Sequence, residues 1–438
     1  MFFYNLRLAR QSLAKQPLLT ALMVAAIAVG VGVCMTVTAY LYSISGDPIP
    51  NKSDQLFAVR LDGWAGDEPF NDDEPEQAPW QLTHRDAMAL LESDVPVRQA
   101  AMRKAVYTAV PDNADIAPFL TISRMTANDF FPMFEVPFEF GGPWDDRYDQ
   151  SAGNVVVLSK KTNDTLFGGE NSVGRQVRFG DERFTVAGVL AEWAPKVLFY
   201  DVNNGPLNPV EDVFMPYQIT AEREVDGSGN TNCWKDERID TYWDLLQSEC
   251  IYVQFWAELP DEQSVQRYQA WLDAYTDGQR DLGRFERPNN NQLNTVTDYL
   301  KIRQVVGDDE LAVWSIAILF LVACLVNTIG LILARFIAKA PVIGLRRALG
   351  ASRWAIFRQH LVEVGLIGFV GGLFGIGLSY AGLLGLRKLL PDTAALTSLD
   401  LTLVLMTVVV AIVAAILAGL YPTWRVCRLQ PAMYLKTQ

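Results

Sequence analysis

The stretch Val342-Ile343-Gly344-Leu345-Arg346-Arg347-Ala348-Leu349-Gly350-Ala351-Ser352-Arg353 decides how the chain is organised. It lies between two long apolar segments, and from Val342 to His360 it carries four arginines and no carboxylate. Short loops rich in Lys and Arg stay on the cytoplasmic side of a membrane, so this stretch reads as a cytoplasmic turn between two spans.

Working outward, four apolar runs occupy 18–44, 311–334, 361–386 and 399–421. At about 1.5 Å per helical residue, each covers most or all of a hydrocarbon core roughly 30 Å thick. The first run, 27 residues long, is too long for a secretory signal core, which predicts an uncleaved span. Ahead of it, residues 2–13 pattern as an amphipathic helix. Phe2, Leu6, Ala9 and Leu13 fall on one face, with Arg7, Arg10 and Gln11 away from it, as suits a helix lying in the lipid interface.

Charge fixes the orientation. The segments 1–17, 335–360 and 422–438 hold 12 Lys/Arg and no Asp or Glu, so both ends and the opening stretch are expected in the cytoplasm. Arg387 and Lys388, in the short 387–398 connection, run against this pattern and are outnumbered. From Gly46 to Glu310 there are 23 Lys/Arg against 47 Asp/Glu, a local charge of −24. An acidic middle with basic flanks excludes a nucleic-acid binder and points to a domain, residues 45–310, outside the cytoplasm.

That middle has mixed α+β patterning. Strands are expected at 55–61, 100–110, 120–125, 154–158, 210–216 and 251–259, and helices at 83–92, 159–167 and 261–276. Thr83 and Asp86 have capping-box spacing, and Gly180-Asp181 separates the two strands of a hairpin, 176–179 and 183–190. The Asn- and Gly-rich segment 202–250 reads as an irregular insertion. It holds Cys233 and Cys250, the only cysteine pair of the acidic middle, which can bond if the domain is extracytoplasmic. Cys34, Cys324 and Cys427 read as inert small residues.

Catalytic signatures are missing from the sequence. There is no GxxxxGK[ST] phosphate loop, no HExxH and no GxSxG, and His84 and His360 are the only histidines. Neither catalysis nor a metal site of its own is expected of this chain. In the third span, Gly368/Gly372 and Gly371/Gly375 have the spacing of close helix contact. Ala411, Ala414, Ala415, Ala418 and Gly419 form a matching small face in the fourth, read as packing within the chain in preference to a dimer face. Glu363, near the cytoplasmic edge, is expected to pair with Arg358 or Arg353.

The segment from Asn327 to Gly372, centred on Ile343 to Arg353, resembles the FtsX-like permease domain of MacB-type ABC transporters. Asn154-Val155-Val156-Val157-Leu158-Ser159, Leu166-Phe167-Gly168, Val173-Gly174-Arg175 and Phe184-Thr185-Val186-Ala187-Gly188-Val189 resemble the periplasmic core domain of the same family. The stretch from Tyr421-Pro422 to Pro431-Ala432 is similar to its final cytoplasmic segment. The resemblance implies four transmembrane helices with a large α+β periplasmic domain inserted between spans 1 and 2, in the bacterial inner membrane. It implies an ATPase-coupling element formed by Ile343, Gly344, Leu345, Arg346, Arg347, Ala348, Gly350 and Ala351. ATP and Mg would be bound by separately encoded cytoplasmic ABC ATPase subunits and no cofactor by this chain. Other implied partners are a second permease copy or a paralogous permease, membrane lipid, and a periplasmic adaptor in pump-type members. Where the family pattern has Glu before Ile-Gly, this chain has Val342 after Pro341, which favours a heteromeric pair. Export by a MacB-like permease is the first reading. An FtsX-like regulator or sensor of a cell-envelope process, or a lipoprotein-extraction permease, is the alternative.

Overall fold

The computed structural model describes residues 2–389 and 401–427. They form two compact units, one from the chain up to Gly46 together with Val306 onward, the other from Asp47 to Val305.

The first unit opens with α1 (Phe2–Ala14) and α2 (Pro17–Ser45). Pro17 sits in the first turn of α2, where a missing N–H costs nothing, and so separates the interfacial helix from the span.

The second unit runs β1 (Leu56–Arg60), α3 (His84–Leu90), β2 (Arg98–Val110), β3 (Phe119–Thr126), α4 (Phe130–Met133), β4 (Phe138–Gly141), α5 (Asp146–Gln150), β5 (Val155–Leu158) and α6 (Lys160–Phe167). It continues with β6 (Gln176–Phe179), β7 (Glu182–Leu190), β8 (Val213–Pro216), α7 (Ile219–Glu222), α8 (Tyr242–Gln247), β9 (Gln254–Glu258), α9 (Glu262–Asp281), β10 (Gln292–Thr295) and α10 (Val296–Ile302). The sheet order is β10-β1-β9-β2-β3-β8-β5-β7-β4. Because β6 pairs with both β2 and β7, the path β2-β3-β8-β5-β7-β6 closes into a ring. The long strand β2 belongs to both the ring and the open β10-β1-β9 sheet, which joins them into one unit. Pairs β3/β8 and β5/β7 are parallel and the rest antiparallel.

Strand periodicity explains the uniform burial of β1 and β9. Phe57, Val59, Phe255 and Ala257 feed one apolar cluster with the ring interior, where Ala105, Ala109, Val156, Phe179 and Val186 meet. Leu56, Ala58 and Trp256 feed another with Phe130, Phe131, Phe134 and Tyr200. A strand covered on both faces reads as a continuous apolar run without alternation. Within the second cluster Arg124 is fully buried and ion-pairs with Asp201 and Glu211. Tyr200 donates to Glu211 at 2.9 Å and Gln254 to Asp201 at 3.0 Å. Buried charges persist only when partnered in this way.

The first unit resumes with α11 (Asp308–Ala338), α12 (Ala340–Ala348), α13 (Arg353–Leu389) and α14 (Leu401–Cys427). Helices α2, α11, α13 and α14 are long and apolar enough to cross a membrane. Most of the expected 387–398 connection and the tail beyond Cys427 lie outside the described residues. A Cβ on Gly368 would come within 2.5 Å of the Ala415 Cβ, and one on Gly372 within 2.9 Å of the Ala411 Cβ. On the other side of α13, a Cβ on Gly371 would meet Ile27 at 2.8 Å. The small residues of the third span therefore serve contact within this chain, with α14 on one side and α2 on the other.

Candidate functional site

The expected cytoplasmic loop is a helix. Helix α11 ends at Lys339 (φ −93°, ψ 0°), and α12 begins with Pro341 in its first turn, so the axis breaks there without losing a needed N–H. At the far end Gly350 takes φ +97°, a conformation that favours glycine. Its N–H donates to the Arg347 carbonyl at 3.1 Å and that of Ala351 to Arg346 at 3.0 Å, closing the helix. The Ser352 hydroxyl then accepts from the Ala355 N–H at 3.1 Å, capping the start of α13. Between two spans the chain thus places a two-turn helix fixed at both ends.

Of the residues expected in the coupling element, Ile343 and Gly344 face inward and are buried. Leu345 is 52 % exposed, next to Val342 at 56 % and Leu349 at 80 %. Arg346 donates to the Gln359 Oε1 of α13 at 3.1 Å. Arg347 lies on the last turn with Ala348, and Gly350 and Ala351 form the turn that follows. Three exposed apolar side chains on so short a helix form a compact contact surface.

Glu363 holds this helix in place, with partners the sequence did not suggest. Its carboxylate is 1 % exposed. Oε1 accepts from Ser12 Oγ at 2.8 Å and pairs with Arg335 at 2.8 Å and Lys339 at 2.9 Å, and His360 Nδ1 lies 3.4 Å from Oε2. Arg335 also donates to Thr20 Oγ1 at 3.0 Å and to the Ser12 carbonyl at 2.9 Å. The expected pairing with Arg358 or Arg353 is corrected. On one helix, residues five and ten apart point to different faces, whereas the end of α11 runs beside Glu363. One carboxylate therefore ties α1 and the α11–α12 break to α13, and Arg335 extends the cluster to α2.

In the other unit, Cys233 and Cys250 are bonded, with Cα atoms 4.2 Å apart. The bond closes the segment whose Asn232 bridges Ile251; Val253 bridges Leu82, so pairing of β9 with its sheet neighbours begins at Gln254 and not at residue 251. Beside it, Glu249 pairs with Arg85 at 2.6 Å and with Arg284 at 3.0 Å, and Arg284 also binds Asp86 at 2.9 Å. The insertion is closed on itself by the disulfide and held by charge to α3 and to the chain after α9. Among the described residues no group of three His, Cys, Asp or Glu is placed to hold a metal.

Four spans, a basic interfacial junction and an inserted α+β domain define a multi-pass membrane protein whose large domain stands outside the cytoplasm. Comparison with known proteins gives the same class a family. Residues 20–275 match the MacB-like periplasmic core domain, and residues 314–431 match the FtsX-like permease C-terminal family. The chain belongs to the MacB/FtsX-like ABC transporter permease family, with its place in the inner membrane and its domain in the periplasm. It is 25% identical over 366 residues to a macrolide export ATP-binding/permease protein MacB of Rhodopirellula baltica, covering 81% of this chain and 51% of that protein. It is 26% identical over 310 residues to the pyoverdine export ATP-binding/permease protein PvdT of Pseudomonas aeruginosa, covering 71% of this chain and 41% of that one. The chain thus spans about half the length of the curated relatives it matches. Among solved structures, the periplasmic region of MacB from Actinobacillus actinomycetemcomitans aligns with a TM-score of 0.37 and 13% identity, covering 59% of this chain and 95% of that one.

Proposed function

We propose that this chain is the permease subunit of a MacB-like ABC exporter and that α12 is where a cytoplasmic ATPase pushes on it. One observation carries the reading. Helix α12 and its C-cap expose Val342, Leu345 and Leu349 while both its ends are fixed to spans and Glu363 ties its start to α1. A force applied to such a helix passes to several spans together, because packed helices move as rigid bodies. ATP and Mg belong on the partner ATPase in this reading, and no cofactor is assigned to this chain. The relatives named as export proteins favour export of a substrate over the regulatory alternative.

Val342 gives the pairing its character. It stands exposed where the family pattern places a carboxylate, so an ATPase groove lined to meet an acid would meet an apolar side chain here. A paralogous permease that supplies the acid on its own side is the partner this favours, in a heterodimer, with a periplasmic adaptor as a further candidate. Purification of the full chain from gently solubilised membranes tests the proposal. Co-elution of a nucleotide-binding subunit in fixed ratio is the expected result, and repeated recovery of this chain without one overturns it.

A further inference from the structure

We infer that the α1–α12 junction is an anion site that takes the phosphate of an acidic phospholipid from the inner leaflet. The inference rests on the cytoplasmic placement of this junction. A cavity of about 190 Å³ opens between α1, α12 and the start of α13, with Gln11, Lys15, Lys339, Arg346 and Gln359 in its walls.

The charges in that wall do not balance. Glu363 is its only carboxylate, and Oε1 is already engaged by Ser12, Arg335 and Lys339. Among the described residues, no carboxylate pairs with Lys15 or with Arg346, whose guanidinium reaches only the neutral Gln359 amide oxygen. Burial, together with the Arg335 and Lys15 charges, pulls the Lys339 ammonium below its ordinary pKa against the pull of Glu363, so Lys15 and Lys339 sense each other. Two cations without a carboxylate, Lys15 after α1 and Arg346 on α12, stand at an open pocket beside the shared Lys339, a charge that an incoming anion relieves. A phosphate, with several acceptor oxygens, suits ammonium, guanidinium and amide donors arriving from different sides.

The source of the phosphate follows from what adjoins the pocket. Leu13 and Ala14, between the pocket residues Ser12 and Lys15, border an apolar groove that continues along Pro17, Val24 and Phe374. One turn of α1 thus separates a cationic pocket from a groove at membrane depth, an arrangement suited to a headgroup with its acyl chain. Basic pockets of this kind on the cytoplasmic side of spans are where acidic headgroups bind.

The test is native mass spectrometry of the full chain in detergent, with phosphatidylglycerol, phosphatidylcholine or inorganic phosphate added in parallel. Retention of phosphatidylglycerol over phosphatidylcholine is expected, undiminished by millimolar phosphate. Lys15→Gln and Arg346→Gln should each weaken it by about fivefold. Arg10→Gln, on the opposite face of α1, should not, and elution volume and melting temperature show that each variant is folded. Equal retention of both lipids with phosphate-dependent thermal stabilisation lost in Lys15→Gln would assign free phosphate and overturn the lipid source. Equal retention with no effect of either variant overturns the site, and so does phosphatidylglycerol selectivity that neither Lys15→Gln nor Arg346→Gln weakens. Detergent removes sidedness, so these results stand apart from orientation, which protease protection of residues 47–305 in intact inner-membrane vesicles tests separately.

Discussion

Lys339 Nζ lies 2.9 Å from Glu363 Oε1, so the residue at which α11 gives way to α12 is clamped to the third span by a carboxylate buried to 1 % exposure. The clamp makes α12 an extension of the membrane unit and not a free loop. Removing one member of a buried ion cluster leaves the others uncompensated. Glu363→Gln is therefore expected to cost about 3–5 kcal/mol in the membrane unit, while Arg335→Met with Glu363→Leu should cost much less than two independent losses. Melting temperatures of the purified chain and its variants in detergent check both.

Close helix approach gives a sharper contrast. Gly368→Leu would drive a side chain into Ala415 and the Ala411 carbonyl, whereas Gly377 has open space where its Cβ would be. Overpacking at Gly368 should cost roughly 1–3 kcal/mol, with Gly377→Ala near neutral. Thermal unfolding of the two variants side by side reads the difference.

The Cys233–Cys250 bond closes a loop of sequence separation 17. Replacing both cysteines by Ser should lower the stability of the periplasmic unit by about 2–4 kcal/mol and expose 233–250 to protease. The oxidised chain should also migrate faster than the reduced one on a denaturing gel, and equal mobility with equal alkylation in both states would refute the bond.

Asp149 supplies a pH signature. Burial pushes its carboxyl up to about 6, although it accepts from Trp144 Nε1 at 2.8 Å and from the Asn128 N–H at 2.9 Å. A carboxyl whose folded pKa lies above its unfolded value favours folding while protonated. Its contribution is therefore full below about pH 4 and is lost as pH rises through about 6. Asp149→Asn should remove a destabilisation on the order of 2 kcal/mol at pH 7 and little at pH 4, allowing for solvent screening. Denaturant unfolding of the periplasmic unit at the two pH values, followed by tryptophan fluorescence, tests this.

Much of the architecture was legible because membranes and turns impose simple demands. Apolar runs and flanking arginines disclose the spans, Gly180-Asp181 the β6–β7 hairpin, and Gly368 with Ala415 the close helix contact. What escaped the sequence depends on the third dimension. Arg335 and Lys339 reach Glu363 from the end of α11, and Ser12, on α1, is 351 residues away in sequence. Arg124 meets Asp201 and Glu211 only after the ring closes. The helical form of α12 is masked in the sequence by Pro341, Gly344 and Gly350, residue types that ordinarily punctuate loops. In the fold Pro341 occupies a first turn and Gly350 a C-terminal cap, while Gly344 is packed inward.

In the proposed function α12 receives the ATPase. A photo-crosslinking residue placed at Leu345, with Trp243 of the periplasmic unit as control site, tests it most directly in cells of the source organism. A nucleotide-binding subunit should crosslink through position 345 and none through 243, with coupled ATP hydrolysis reduced about tenfold or more in the Arg346→Ala/Arg347→Ala/Gly350→Val variant, as for loss of an interface hot spot. No crosslink to any nucleotide-binding subunit at position 345, together with unchanged ATP hydrolysis in that variant, would contradict it.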